Sequence, residues 1–400
     1  MKRLDIIDGM RGYFLVFMLI NHLIFTGGYW LVEINHRQFA FVEDAQGFVF
    51  LSGLLTGMIY SRRMLKSGYA AGRDQIHRRV FELYYHAMAI ILLILVAQLL
   101  LPGAFRIWDN WLGGTRLSDP LRLATIATFL FQPTFMDILP QYIIYMVVAP
   151  FAIRMCLDGR WRTVATISLL LWLAGQLGLQ RVLTVPLDGL LSGGVEGKEG
   201  LRVSFNLLGW QIVFFAGIIA GALTSMREIN WSEVFHPERT FLPKLALAIC
   251  LFFMPLRILT AHGLMPEAVL AKFATMEIRA DLGPVYLINL AAVFYGVTWL
   301  LIAGARHRNT IVQNVSAALN WLFTRSYLQL LGRHSLHVYI WHVVIVYFVF
   351  YIDGLTPELT QATKTVIAIT GVLLLSLPAL YRERTRVVAP APAVPARQQG

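Results

Sequence analysis

The chain has 400 residues, of which 57% are hydrophobic and 14% charged, with a mean hydropathy of +0.61. A soluble domain carries about 25% charged residues, so this composition excludes one and calls for a polytopic, all-α membrane protein. A formal net charge of +11 would suit a nucleic-acid binder unless the basic residues sort by membrane side.

The first apolar stretch opens with DGMRGYFLVFMLINH, residues 8–22. Arg11 and His22 have ten residues between them. Eleven steps of 100° make about three turns, so the two share one helix face, about 16 Å apart. That is about half the hydrocarbon thickness of a bilayer. A helix entering at Arg11 carries His22 to the midplane, where an ionisable group must face protein or a wet cavity. A neutral imidazole there can serve as a general base; the competing reading is a structural His bonded to a neighbouring helix. The stretch runs on past Asn21 and His22 with no small-residue cleavage site, so it reads as a span and not as a signal peptide.

Apolar segments are expected at about 12–32, 47–65, 83–102, 138–156, 164–181, 207–225, 243–261, 284–305, 335–352 and 365–381, which makes about ten transmembrane helices. Residues 121–135 are apolar but short, with Pro133 near the end; they read as an interfacial or re-entrant piece. With both termini cytoplasmic, the inner side takes 23 of the 34 Lys/Arg and the outer side 11. That asymmetry is the positive-inside pattern. It accounts for the net charge, and nucleic acid drops out as a partner.

Cys156 and Cys250 show no CxxC spacing and read as buried bystander thiols, with no metal site. The outer loops at about 103–137 and 182–206 carry Trp108, Trp111, Gly113, Gly114, Gly193 and Gly194, suited to interfacial anchoring or to sugar stacking. Residues 1–385 form one transmembrane domain. The Pro/Ala-rich residues 386–400 read as a disordered cytoplasmic tail.

Several groups besides His22 could carry chemistry. Glu43, Asp44 and Ser52 lie where the second segment starts on the outer side, although Ser52, Gly53 and Gly57 also suit close helix packing. Acidic groups at a helix N-terminus need no function, since they answer the helix dipole. The inner loop with Arg62, Arg63, Lys66, Arg73, His77, Arg78 and Arg79 is either topogenic or a polyphosphate site, coenzyme A being one such ligand. Asp137, Asn206 and Gln211 stand at outer mouths of spans, with interface anchoring as the plainer explanation. His342 falls well inside the ninth segment. It is about 140° around the helix from His337, a poor match to a two-His metal site.

Arg11-x10-His22, the FVFLSG segment, the Arg-rich inner loop and the late SLHVYIWH segment together resemble the acyltransferase-3 family of integral membrane enzymes. MDILPQY and FNLLGWQIVFFAG are similar to the OpgC-type branch, associated with succinylation of osmoregulated periplasmic glucans. The late segment departs from the pattern in carrying His337 as an extra His. The resemblance implies a bacterial inner-membrane enzyme without a bound cofactor. It would use cytoplasmic acyl-CoA, expected to be succinyl-CoA, as donor and a periplasmic glucan hydroxyl as acceptor. Arg11, Arg62, Arg78 and Arg79 would hold the donor, and His22 would act as base or as acyl carrier. Asp44, Ser52, Asp137, Asn206, Gln211 and His342 would support the acceptor side. A glycan or anion transporter also needs intramembrane polar groups, but paired repeats are not evident. A non-catalytic partner of a glucan synthase is the third reading.

Overall fold

The computed structural model describes residues 5–193 and 199–388. Among the described residues it is helical, with one isolated β-bridge, Phe131 to Arg202. Gly194 and most of the expected tail, 389–400, lie outside the described residues, while 386–388 belong to the last helix, Ser376–Val388.

Among the described residues seven helices are long and apolar enough to cross a membrane, or eight if the bent pair Trp161–Gln176 and Arg181–Ser192 is one span. The expected count of about ten is not reached by helices that are long and apolar enough on their own. The first helix, Asp5–His22, is 18 residues long but carries Asp5, Asp8 and Arg11 in its first two turns. The expected segments 47–65 and 83–102 both fall in one long helix, Asp44–Leu100, and the inner loop between them is itself helical.

That helix has 57 residues and would be about 85 Å long if straight, far more than a hydrocarbon core of about 30 Å. It is not straight. Gly68 is non-helical at φ 84°, ψ 163°, a backbone state that a Cβ would strain. The chain reverses there, because Gly72 packs directly on the Met64 side chain. Eight residues of continuous helix would hold those two about 12 Å apart. The outer and inner arms of this helix therefore lie side by side, and Ser52 comes to share a cleft with Arg79 and Leu83.

Small residues then set the packing. A Cβ at Gly53 would collide with the Phe214 carbonyl, and one at Gly221 with the Leu54 carbonyl. The outer arm and the helix Leu207–Ser225 touch backbone to backbone, as small residues allow in apolar surroundings where hydrophobic burial gives no help. Gly12 and Gly332 do the same for the first helix against Ser326–Arg333, which fixes the height of Arg11. The helix Phe241–Ala261 sits at the opposite extreme, with Ala246 its one buried residue, and meets the rest of the fold along its contacts with Pro284–Ala303.

The loops gather at two ends. At one, the carbonyl of Arg37 accepts from Arg257, that of Ala280 from the Asn206 amide, and that of Arg202 from the Gln132 amide. At the other, Arg333 and His334 meet Glu383, and Arg308 meets Glu238. Residues 121–135 contribute only the eight-residue helix Pro120–Ala127 and an irregular return. Cys156 is buried and Cys250 half-buried, and both are free.

Candidate active site

Arg11 and His22 stand at opposite ends of the site because their helix holds them three turns apart. At one end, Arg11 donates through Nη2 to Ser335 Oγ at 2.5 Å and through Nη1 to the Gly332 carbonyl at 3.4 Å. Its guanidinium lies over the Phe48 ring. It thereby ties the first helix to the start of the histidine-bearing helix Ser335–Leu355.

At the other end, His22 meets His342 of that same helix, Nδ1 to Nε2 at 3.1 Å. The proton positions follow by elimination. His342 Nδ1 lies 2.5 Å from the Tyr339 carbonyl, which can only accept, so His342 Nδ1 carries a proton. In a neutral imidazole the other nitrogen is then an acceptor, so His342 Nε2 accepts from His22 Nδ1–H. His22 Nε2 is left with its lone pair. His342 is fully buried and His22 half-buried, so His22 is the member of the pair open to a ligand.

The segment beyond His22 is held from both sides. Asp353 accepts from Thr26 N and Oγ1, both at 2.9 Å. Lys364, fully buried, donates to the carbonyls of Thr26 and Gly28 and pairs with Glu358 at 3.5 Å. Phe135 closes one side of His22, with ring centroids 4.3 Å apart. It sits at φ 66°, unusual for a bulky residue and a mark of local strain. Its carbonyl accepts from Tyr339 OH, and that of Thr134 from Tyr347 OH.

His22 opens into a cavity of about 500 Å3 whose lining includes Asn21, Asp44, Phe135, Asp137 and Arg279. Glu43 and Asp44 are not solvated, as a helix N-terminus might suggest; both are 3% exposed. Asp44 accepts from Asn21 Nδ2, which is itself steadied by Asn35, and faces His36 Nε2 at 3.5 Å. Glu43 Oε2 receives two guanidinium groups, Arg37 Nε at 3.1 Å and Arg279 Nε at 3.3 Å. Burial lowers the His36 pKa to about 4 against the pull of Glu43. Burial likewise raises that of Asp137, opposed by a hydrogen bond from Ser204 and by the charge of Arg279.

A second, narrow cleft of about 30 Å3 lies toward Arg11 and is lined by Ser52, Arg79, Tyr142 and Tyr339. It has room for about one water. Ile138 lines both spaces and stands between them.

The expected site residues thus divide. His22, Asp44 and Asp137 share the larger cavity, with His342 behind His22; Arg11, Ser52 and Arg79 share the narrow cleft. Arg79 is paired with Glu82 at 2.7 Å, while Arg62 is half-buried, Arg78 exposed, and both lie outside that cleft. Asn206 and Gln211 are occupied elsewhere. Asn206 caps the helix Leu207–Ser225 by accepting from Leu208 N and Gly209 N, and donates to Asp281 at 2.8 Å. Gln211 exchanges two hydrogen bonds of 2.7 Å with Ser168. The sequence reading missed Arg37 and Arg279. They lie in loops, far apart in the chain, and only their common partner Glu43 relates them.

The fold and this two-ended site define, among the described residues, a helical membrane protein with a titratable pair between a basic cleft at the Arg11 end and a polar cavity at the His22 end. The sequence matches the model of the OpgC protein family over residues 2–387, and the chain belongs to that family. Membership makes it a membrane acyltransferase of the glucan-modifying kind. No curated protein and no solved structure matches the chain.

Proposed function

We propose that the protein moves an acyl group, succinyl, from cytoplasmic acyl-CoA to a hydroxyl of a periplasmic glucan across a bacterial inner membrane. The observation that carries the reading is the His22–His342 pair. Its hydrogen bonds leave an imidazole lone pair on the wall of a polar cavity, three turns along the same helix from Arg11.

The chemistry then runs as follows. A glucan hydroxyl in the outer cavity attacks the thioester carbonyl and gives its proton to His22 Nε2. The new C–O bond forms, the C–S bond breaks, and the imidazolium returns the proton to the departing thiolate, giving the ester and free coenzyme A. His342 accepts from His22 Nδ1–H throughout. It holds the ring in the useful tautomer, the part an aspartate plays in hydrolase triads. Arg11 and Arg79 face the phosphate end of the donor, and Asp44 and Asp137 the acceptor hydroxyls. Arg62 and Arg78 would guide the donor in from the cytoplasm. Passage of the pantetheine arm requires that the cleft beside Ile138 widen. Oligomeric state does not enter the chemistry.

The topology fits this traffic. Counting the bent pair, both arms of the long helix and the first helix brings the seven long apolar helices to ten crossings. An even number leaves both termini on one side, which the Lys/Arg asymmetry assigns to the cytoplasm.

The test is the mass of periplasmic glucans from cells with and without the protein, followed by transfer of labelled acyl from acyl-CoA by purified protein. Succinyl-sized additions that vanish with the protein support the reading. Unmodified label crossing a sealed vesicle would mark a transporter instead.

A further inference from the structure

The outer cavity contains a feature that acid–base catalysis does not use. Arg37 and Arg279 come from separate loops and converge on one buried carboxylate, Glu43, each through its Nε. Glu43 is held in turn by the first turn of its helix, where its own N–H donates to Gln46 Oε1 at 3.0 Å and Gln46 is fully buried. Each guanidinium approaches Glu43 through Nε, so its two Nη groups are not the ones nearest Glu43, and a guanidinium is the planar donor fork that matches a carboxylate. Two cations thus stand on the one carboxylate of Glu43, with Asp44 and Asp137 on the same cavity lining. Both arginines line the same space as His22.

The geometry points to Arg279, seconded by Arg37, as the group that recognises a carboxylate at the far end of the donor's acyl chain. With the phosphates at Arg11 and the thioester at His22, an acyl chain can extend only outward, into the cavity where these side chains stand. A neutral acyl chain would leave the fork hydrated and gain nothing from it. A chain ending in a carboxylate, two methylenes beyond the thioester carbonyl, would complete it. Arg279, with a side chain 46% exposed against 24% for Arg37, is the more available of the two. The inference rests on the acyl-transfer reading above and adds the residues that select the acyl group. Asp44 and Asp137, on the same lining, are left to the acceptor hydroxyls.

The experiment is a comparison of donors within one preparation of the full-length protein in detergent. Transfer to glucan is measured from succinyl-CoA and from butyryl-CoA, which keeps the four-carbon chain and lacks the carboxylate. For Arg279→Gln, the ratio of kcat/KM for succinyl-CoA to that for butyryl-CoA should fall on the order of tenfold or more, because a charge-assisted fork is lost. Arg279→Lys should fall between, retaining charge without the fork. The ratio is internal to each sample, so partial misfolding does not alter it, and the Lys variant serves if the Gln variant does not insert. An unchanged ratio in either variant overturns the assignment. So does a rise in the KM for glucan with the donor ratio intact, which would place Arg279 on the acceptor. Absence of succinyl transfer by the unmodified protein is a different failure, since it removes the succinyl donor and this inference with it.

Discussion

At the scale of single residues, the proton inventory of the histidine pair yields the most specific expectations. His342 touches no reacting atom in this account; it positions His22. His342→Phe should lower kcat on the order of tenfold to a hundredfold with little change in KM for acyl-CoA, as loss of an orienting partner does. His342→Gln, whose amide oxygen can accept the same bond, should recover part of that loss, and a merely structural role would show no such difference between the two variants in stably folded protein. His36 supplies a pH test of stability. It is half-buried beside Asp44 and Tyr13, and desolvation lowers its pKa from 6.5 to about 4. Between those values the unfolded chain binds the proton and the folded chain does not, so stability rises with pH across that window and is lost as pH falls. On acidification from pH 6.5 towards 4, the Tm of the unmodified protein in detergent should fall relative to that of His36→Gln. Equal slopes would mean that His36 is not desolvated as described.

Among the elements, the small-residue seams hold the site's two halves in register. Gly221→Leu places a branched side chain against the Leu54 carbonyl and the Met58 amide, well inward of the cavity. It should cost about 1–3 kcal/mol by overpacking, seen as a lower Tm, with kcat preserved in whatever remains folded. The same seams show what the sequence could and could not disclose. Arg11 and His22 were legible because a helix is a local object: spacing alone puts them on one face. Asn206 and Gln211 looked alike from sequence as polar groups at a span's mouth, yet one is spent as a cap and the other in a bond to Ser168. The His22–His342 contact spans 320 residues of sequence and depends on Gly12 and Gly332 admitting close approach, which no periodicity reveals. Hydropathy found both arms of the long helix. It could not show that the basic stretch between them stays helical and reverses at one glycine.

For the whole molecule, the account needs a sidedness: phosphates enter from the Arg11 end and sugar from the His22 end. A cysteine at Ser67, exposed beside the reversal at Gly68, should be protected from an impermeant thiol reagent in intact cells. One at Ser118, exposed in the loop before Pro120–Ala127, should react. The opposite pattern would exchange donor and acceptor sides and with them the roles of both arginine groups.

The central claim is that His22 is the base, and His22→Gln tests it most directly. Glutamine keeps size and hydrogen bonding but takes up no proton at neutral pH. Acyl transfer by the purified variant should fall by about 10²–10⁴ while the protein inserts, keeps its Tm and still binds acyl-CoA. A well-folded variant that transfers acyl groups at near the unmodified rate would contradict the account.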